Sequence, residues 1–134
     1  MNLRETSKLL YQLKLANQEM TTKFEAKTGF SITRYELMLV LMENAPCSQS
    51  LIQNELKIDS AAVTRHLKIL EEKGYVIRER NQANNREISV KITEQAIKDL
   101  KSCETQHQQH KKLDLSLTED EEKMLLQLLN KIVQ

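Results

Sequence analysis

The middle of the chain changes from a helical to a strand-like pattern of apolar residues. Over residues 87–92 every second residue is apolar, which is the period of a strand with one buried face. Residues 75–80 supply a partner strand. The segment 81–86 between them is polar and rich in asparagine, which tolerates left-handed backbone geometry better than other non-glycine residues. The pattern predicts a β-hairpin with an exposed tip.

Two short helices are predicted before the hairpin. Asp59 can cap a helix that runs through Lys73, and Gly74 suits the left-handed position that ends it. Its apolar face has residues at i, i+4 and i+7, namely Val63, Leu67 and Leu70. Ser48 can cap the preceding helix, and residues 57–58 remain as the turn. This order is that of a helix-turn-helix followed by a wing.

The other face of the second helix is available to a partner. Small residues near its N-terminus permit close approach to base edges, and cations follow at the reach of phosphates. We therefore expect this helix to enter the major groove of double-stranded DNA. The candidate DNA-binding residues are Ser48, Ser60, Ala61, Thr64, Arg65 and Lys68, the hairpin-tip residues Asn84, Asn85 and Arg86, and His66 as a secondary contact.

The two ends of the chain are also predicted to be helical. Residues 3–27 place apolar side chains near one helical stripe, and Gly29 ends that helix. Thr93 opens a helix after the hairpin, and Thr118 with Glu121 forms a capping box for a last, apolar helix. These apolar faces need burial, so we expect the terminal helices to pack across a homodimer. Its two-fold symmetry would set the reading helices about 34–36 Å apart, one turn of DNA.

Length and composition set the fold class. A chain of 134 residues with 40% hydrophobic, 4% aromatic and only two glycine residues favours one mainly α (α+β) domain. We expect a winged helix-turn-helix lobe over residues 31–92, with dimerisation helices in residues 1–30 and 93–134 of the single domain 1–134. Neither a membrane span nor a signal peptide is evident, which predicts a cytoplasmic protein without a membrane partner.

Charge is distributed unevenly along the chain. The net charge of +1 is low for a protein that binds nucleic acid. Residues 57–91, however, contain eight Lys and Arg and five Asp and Glu, a balance of +3, whereas residues 92–134 contain six and eight, a balance of −2. The basic part, residues 57–91, coincides with the second helix and the hairpin, which are the proposed DNA-binding elements. A dimer would double this local positive charge on one face.

Several runs of residues resemble the multiple-antibiotic-resistance-regulator (MarR) family of bacterial winged-helix regulators. The similar runs are 33–36, 48–51, 59–76 and 92–94, of which the helix ending in Glu-Lys-Gly-Tyr and the position of Arg86 are the most specific. The resemblance implies a homodimer that binds a pseudo-palindromic operator, usually represses, and releases DNA in response to a ligand, metal or oxidant. It also implies that Arg86 enters the minor groove, although Asn84 stands where the family has an aspartate.

Three side chains after the hairpin raise an alternative, a metal-responsive regulator. Cys103, His107 and His110 have spacings of four and three, and a thiolate with two imidazoles is a donor set for zinc. The segment is otherwise strongly polar, which is typical of a solvated helix face. We therefore predict no resident metal or cofactor. Cys47, before a helix N-terminus, is a conceivable redox site, but a packing role is favoured.

Enzymatic functions lack support in the sequence. There is no glycine-rich phosphate loop and no Gly-x-Ser-x-Gly or His-Glu-x-x-His motif, and the acidic run 119–122 suits a helix N-terminus. A winged-helix module that binds protein rather than DNA is the alternative from another class, because the net charge is close to neutral. For the DNA-binding regulator, the family resemblance also implies a possible small-molecule effector, phenolic or lipid-like, that binds in the crevice between the dimerisation helices and the winged lobe. The sequence does not outline this site residue by residue.

Overall fold

The computed structural model describes residues 1–44, 46–81, 84–109 and 112–134, and for residues 81 and 84–86 it describes the backbone alone. No helix of this described part is long and apolar enough to span a membrane. The elements in chain order are α1 (Leu3–Thr28), α2 (Ile32–Asn44), β1 (Cys47–Ser48), α3 (Gln49–Leu56), α4 (Ser60–Glu72), β2 (Val76–Asn81), β3 (Asn84–Ile92), α5 (Glu94–Gln109) and α6 (Glu119–Ile132).

The predicted helix ends are confirmed at the level of individual hydrogen bonds. The Asp59 carboxylate accepts from the Ala62 amide at 2.7 Å, and Ser48 Oγ accepts from the Leu51 amide at 3.1 Å. Such caps satisfy amides that have no partner inside the helix. Gly29 and Gly74 both have positive φ, 76° and 77°, as expected where the chain leaves α1 and α4.

The predicted hairpin is confirmed, and the sheet that contains it has one more strand than was predicted. β2 and β3 pair antiparallel, with Val76 opposite Ile92, and the two-residue strand β1 pairs with the other edge of β3, so the sheet order is β1-β3-β2. Cys47 lies opposite Val90 in that added pair. The sheet therefore links the segment before α3 to the wing.

One hydrophobic core lies inside the lobe formed by α2–α5 and the sheet. Its twelve buried residues come from every one of those elements: Leu37, Met38, Leu41, Cys47, Ile52, Val63, Leu67, Leu70, Val76, Val90, Ala96 and Leu100. The three predicted α4 positions are among them. Neither α1 nor α6 contributes a buried residue. The lobe thus has its own core, to which α5 belongs, whereas the two terminal helices α1 and α6 leave most of their apolar side chains uncovered in the single chain.

Candidate nucleic-acid interface

The exposed face of α4 is the centre of the candidate interface. The five α4 candidates, Ser60, Ala61, Thr64, Arg65 and Lys68, are all solvent-exposed. The opposite side of the helix carries three fully or almost fully buried core residues. Since the cap at Asp59 fixes where α4 begins, the small side chains occupy its first turn and the cations lie further along it. This is the arrangement that close contact with base edges and phosphates requires.

Ser48 has a different place from the other candidates. Its hydroxyl accepts the Leu51 amide as the cap of α3, and its backbone pairs with Ser89 of β3. The side chain is half-buried. Ser48 therefore orients the first turn of α3 and joins that turn to the wing.

Two side-chain contacts connect the exposed face of α4 to its neighbours. Gln49 at the start of α3 donates from Nε2 to Thr64 Oγ1 at 3.4 Å. On another flank, Arg78 of β2 makes two contacts with the Glu71 carboxylate, Nε to Oε2 at 3.3 Å and Nη2 to Oε1 at 2.9 Å. This two-point contact lowers the pKa of Glu71 and raises that of Arg78. α4 is therefore connected both to α3 and to β2.

His66 faces α2 rather than the open side of α4. Arg34 Nη1 lies 3.3 Å from His66 Nδ1, and the imidazole is half-buried. Burial first, and then the neighbouring charges of Arg34 and Arg65, lower the pKa of His66. A neutral ring with Nδ1 as the acceptor fits this contact, because a protonated ring would have no lone pair for the guanidinium. The geometry gives His66 a packing role and brings Arg34 to the edge of the reading face.

The wing candidates are located by their backbone. Asn84, Asn85 and Arg86 begin β3 at the tip of the hairpin, and their side chains lie outside the described residues. Around them the strand register is regular from Val76 to Arg80 and shifts between Arg80 and Asn81. The tip therefore extends from a well-paired two-stranded ribbon.

A cavity of about 280 Å³ opens where α1 and α5 meet α2. Its wall combines aromatic, aliphatic and polar groups: Phe24, Lys27, Thr28, Tyr35, Cys103, Glu104, Gln106, His107, Gln108 and Leu113. The rings of Phe24 and Tyr35 meet edge to face, with centroids 5.3 Å apart. Burial, and then the charges of Glu104, Cys103 and Glu36, raise the pKa of Tyr35. The site suits a small molecule with an apolar body.

The described residues considered for metal or redox chemistry, Cys47, Cys103 and His107, do not form a metal site. Cys103 and His107 both line this cavity, and His107 Nδ1 accepts the Leu113 amide at 3.3 Å. His110 lies outside the described residues, among which no cluster of three His, Cys, Asp or Glu could hold a metal. Burial raises the pKa of both Cys47 and Cys103, with Glu104 adding to the effect at Cys103. Burial thus favours the thiol over the more reactive thiolate in both groups.

Comparison with known proteins identifies the family. The family model described as "MarR family" matches residues 30–88. An HTH-type transcriptional regulator of Bacillus subtilis (strain 168), YdgJ, is 42% identical over 122 residues, which are 91% of this chain and 74% of that protein. The chain belongs to the MarR family. Its members are transcriptional regulators, and that is the class of this protein.

Solved structures with the same fold accompany this MarR-family assignment. A mutant MarR from E. coli, crystallised with operator DNA, superposes with a TM-score of 0.82 at 24% identity over 100% of both chains. The transcriptional repressor CouR, bound to a 23-mer DNA duplex, superposes with a TM-score of 0.85 at 22% identity, over 100% of this chain and 99% of that chain. At these identities the likeness shows that the MarR-family chain shares their fold.

Some functional contacts of this MarR-family chain were outside the sequence prediction. Gln49 contacts Thr64 of α4, which is 15 positions away in the chain, and Arg34 contacts His66 of α4, which is 32 positions away. The cavity joins Lys27, Tyr35 and Cys103 from three separate helices. The helix-turn-helix and hairpin were predicted from residues that are close in sequence. The contacts of Gln49 and Arg34 depend instead on how the helices pack against one another.

Proposed function

We propose that this MarR-family regulator is a homodimer that binds a pseudo-palindromic operator and represses transcription. The exposed face of α4 carries the proposal, since a capped N-terminus with small residues is followed by Arg65 and Lys68. The wing would add Arg86 in the minor groove, with Asn84 and Asn85 near the backbone. Solved structures of the same fold, MarR and CouR, are bound to DNA and support this function.

The homodimer is supported by the uncovered apolar faces of the terminal helices. Leu125, Leu128 and Ile132 of α6 are 39%, 48% and 69% exposed, and Leu9 and Leu10 of α1 are 51% and 58% exposed. In proteins most of the stability of a helix comes from the packing of its apolar face, and these faces lack that packing in the single chain. A second copy would cover these faces and place two α4 helices on one side of the assembly.

The cavity beside Tyr35 is our candidate effector site. A phenolic or otherwise largely apolar ligand fits its aromatic walls, and occupancy between the terminal helices and the lobe would change the angle between them. Lys27 Nζ donates to the Lys112 carbonyl at 3.0 Å, so part of the rim is tied down without a ligand. Release of DNA would then follow from a change in the distance between the two α4 helices.

The test is binding to the DNA upstream of the protein's own gene at several salt concentrations, with the mass measured in the same buffer. We expect saturable binding by a dimer that weakens steeply as salt rises. Arg65→Ala should lose about 1–3 kcal/mol and relax base preference, and Arg86→Ala should also weaken binding. Arg4→Ala, at an exposed position of α1, is the matched control and should bind like the wild type. Binding no tighter than to random DNA would contradict the proposal.

A further inference from the structure

We infer that Thr64 reads a thymine through its methyl group, and that Gln49 is the positioning residue that holds its hydroxyl away from the DNA. The inference rests on the proposed function, because it assigns a base contact to the α4 face. The observation behind it is the chain of hydrogen bonds from Gln49 to Thr64 to the carbonyl of Ser60.

The Thr64 hydroxyl has no proton left for DNA. Its Oγ1 donates to the Ser60 carbonyl at 3.0 Å and accepts from Gln49 Nε2 at 3.4 Å. A threonine hydroxyl carries one donor and two lone pairs. If the Gln49 amide were rotated by half a turn, its oxygen would accept the same proton. In either orientation the proton is used inside the protein.

Gln49 is well placed to keep that hydroxyl fixed. Its Oε1 is buried and has no hydrogen-bond partner among the residues that the structure describes. The residue begins α3, whose first turn is held by the Ser48 cap and by the pairing of Ser48 with Ser89. The amide is therefore confined by the packing of α3, and Thr64 is the neighbour to which it donates.

The chemistry of the major groove determines what Thr64 can recognise. Guanine O6 and N7, adenine N7 and thymine O4 are all acceptors, so each needs a donor that the Thr64 hydroxyl lacks. Thymine also presents a C5-methyl group, which apolar side chains contact. Thr64 is exposed one turn after the small residues at the start of α4, where the helix comes close to bases. Besides the methyl of Thr64, one lone pair of its Oγ1 also remains, and it can accept only from the amino group of adenine or cytosine. Of these two free groups, we assign the base contact to the methyl.

The experiment begins with a duplex selected by the purified full-length protein from a random-sequence pool. Each thymine of that duplex is then replaced singly by deoxyuridine, which removes the methyl and leaves the hydrogen-bonding edge. In the wild type we expect one thymine in each half-site whose replacement weakens binding roughly three- to fivefold, the scale of one lost methyl contact. Absence of any such thymine would overturn the inference.

Three variants assign the effect to the two side chains. Thr64→Val keeps the methyl and should retain both affinity and the preference for thymine over deoxyuridine. Thr64→Ser keeps the hydroxyl and should lose the preference. Gln49→Met keeps the length of the side chain without the amide. The ratio of the affinities for the thymine and deoxyuridine duplexes should fall toward one, because binding to the thymine duplex weakens by about the same three- to fivefold.

The opposite results have separate meanings. If Thr64→Val loses affinity and Thr64→Ser keeps it, the hydroxyl reads a base amino group and the inference is wrong. If Gln49→Met leaves the preference unchanged, Gln49 has no positioning role. If the selection recovers no preferred sequence at all, the proposed function fails, and this is distinguishable because it is seen before any variant is made.

Discussion

The winged lobe and the terminal helices obey the same local rules and differ in what covers their apolar faces. α6 begins with a complete capping box between Thr118 and Glu121, and α1 begins with one between Asn2 and Glu5. Both helices nevertheless lack a buried residue, whereas the shorter α4 buries three. Good caps and an amphipathic pattern are therefore enough to define a helix, but the pattern of α1 and α6 is completed by a partner chain under the proposed function.

Side-chain hydrogen bonds connect both ends of α4 to elements that follow it in the chain. The Tyr75 hydroxyl donates to Asp99 Oδ2 at 2.7 Å, and Thr93 Oγ1 donates to the Gly74 carbonyl at 2.8 Å. These bonds tie the first turns of α5 to the end of α4. At the other end of the lobe, Lys57 in the turn before α4 donates to the carbonyl of Val133, just after α6. Within the lobe α5 is thus bonded to the end of α4, and the end of α6 contacts the turn that precedes α4.

The largest expected effect comes from a charge in the centre of the α6 apolar stripe. Leu125→Asp would bury an unpaired carboxylate in the proposed dimer interface, at a cost of about 3–5 kcal/mol or more than a hundredfold in association. Sedimentation over a range of protein concentrations should show monomers where the wild type is dimeric. Gln127→Asp, with the same charge on the opposite face of α6, should remain a dimer. A dimeric Leu125→Asp variant would contradict the assignment of this face.

The lobe should respond to a smaller change with a loss of folding stability. Leu67 is fully buried in α4, and Leu67→Ala should lower the free energy of unfolding by about 2–5 kcal/mol, because it leaves a cavity. Urea denaturation at one fixed protein concentration measures this. Lys8→Ala, at an exposed polar position of α1, should change the value by less than about 0.5 kcal/mol. Equal losses in the two variants would mean that the lobe has no core of its own.

The sequence predicted features that depend on neighbours along the chain. The Asp59 and Ser48 caps, the two glycine helix ends and the hairpin all follow from residues a few positions apart. β1 was missed because two residues carry no periodicity, and its pairing with Val90 and Ser89 becomes evident only when the sheet is assembled. Cys103 and His107 were considered as metal ligands from their spacing, and their place in the cavity depends on α1 and α2 crossing α5.

The contact between the end of α4 and α5, inside the lobe, can be weakened at one hydrogen bond. In the wild type the hydrogen bond to Asp99 raises the pKa of Tyr75. Tyr75→Phe removes the hydroxyl that makes this bond and should lower the free energy of unfolding by roughly 1–2 kcal/mol. The same denaturation experiment measures this loss. Tyr11→Phe is the matched control, since Tyr11 is 58% exposed on α1, and its unfolding should match that of the wild type. A loss as large in the control would show that the hydroxyl contact is not the cause.

The smallest expected effect is a pH dependence that belongs to the lobe alone. Burial and the guanidiniums of Arg34 and Arg65 lower the pKa of His66 in the folded chain, so the unfolded chain takes up the proton first as the pH falls. The contribution of His66 to the free energy of unfolding is complete above its unfolded pKa of about 6.5. It is lost as the pH falls below that value, by less than about 1.4 kcal/mol per pH unit. The free energy of unfolding, measured between about pH 5 and 8, should decline toward low pH in the wild type and decline less in His66→Asn. Arg34→Met should raise the pKa of His66 in an NMR titration and shrink the decline, because it removes one of the two neighbouring cations. An unchanged decline in His66→Asn would place the titrating group elsewhere, and the contact between α2 and α4 would then have no part in the acid sensitivity of the lobe.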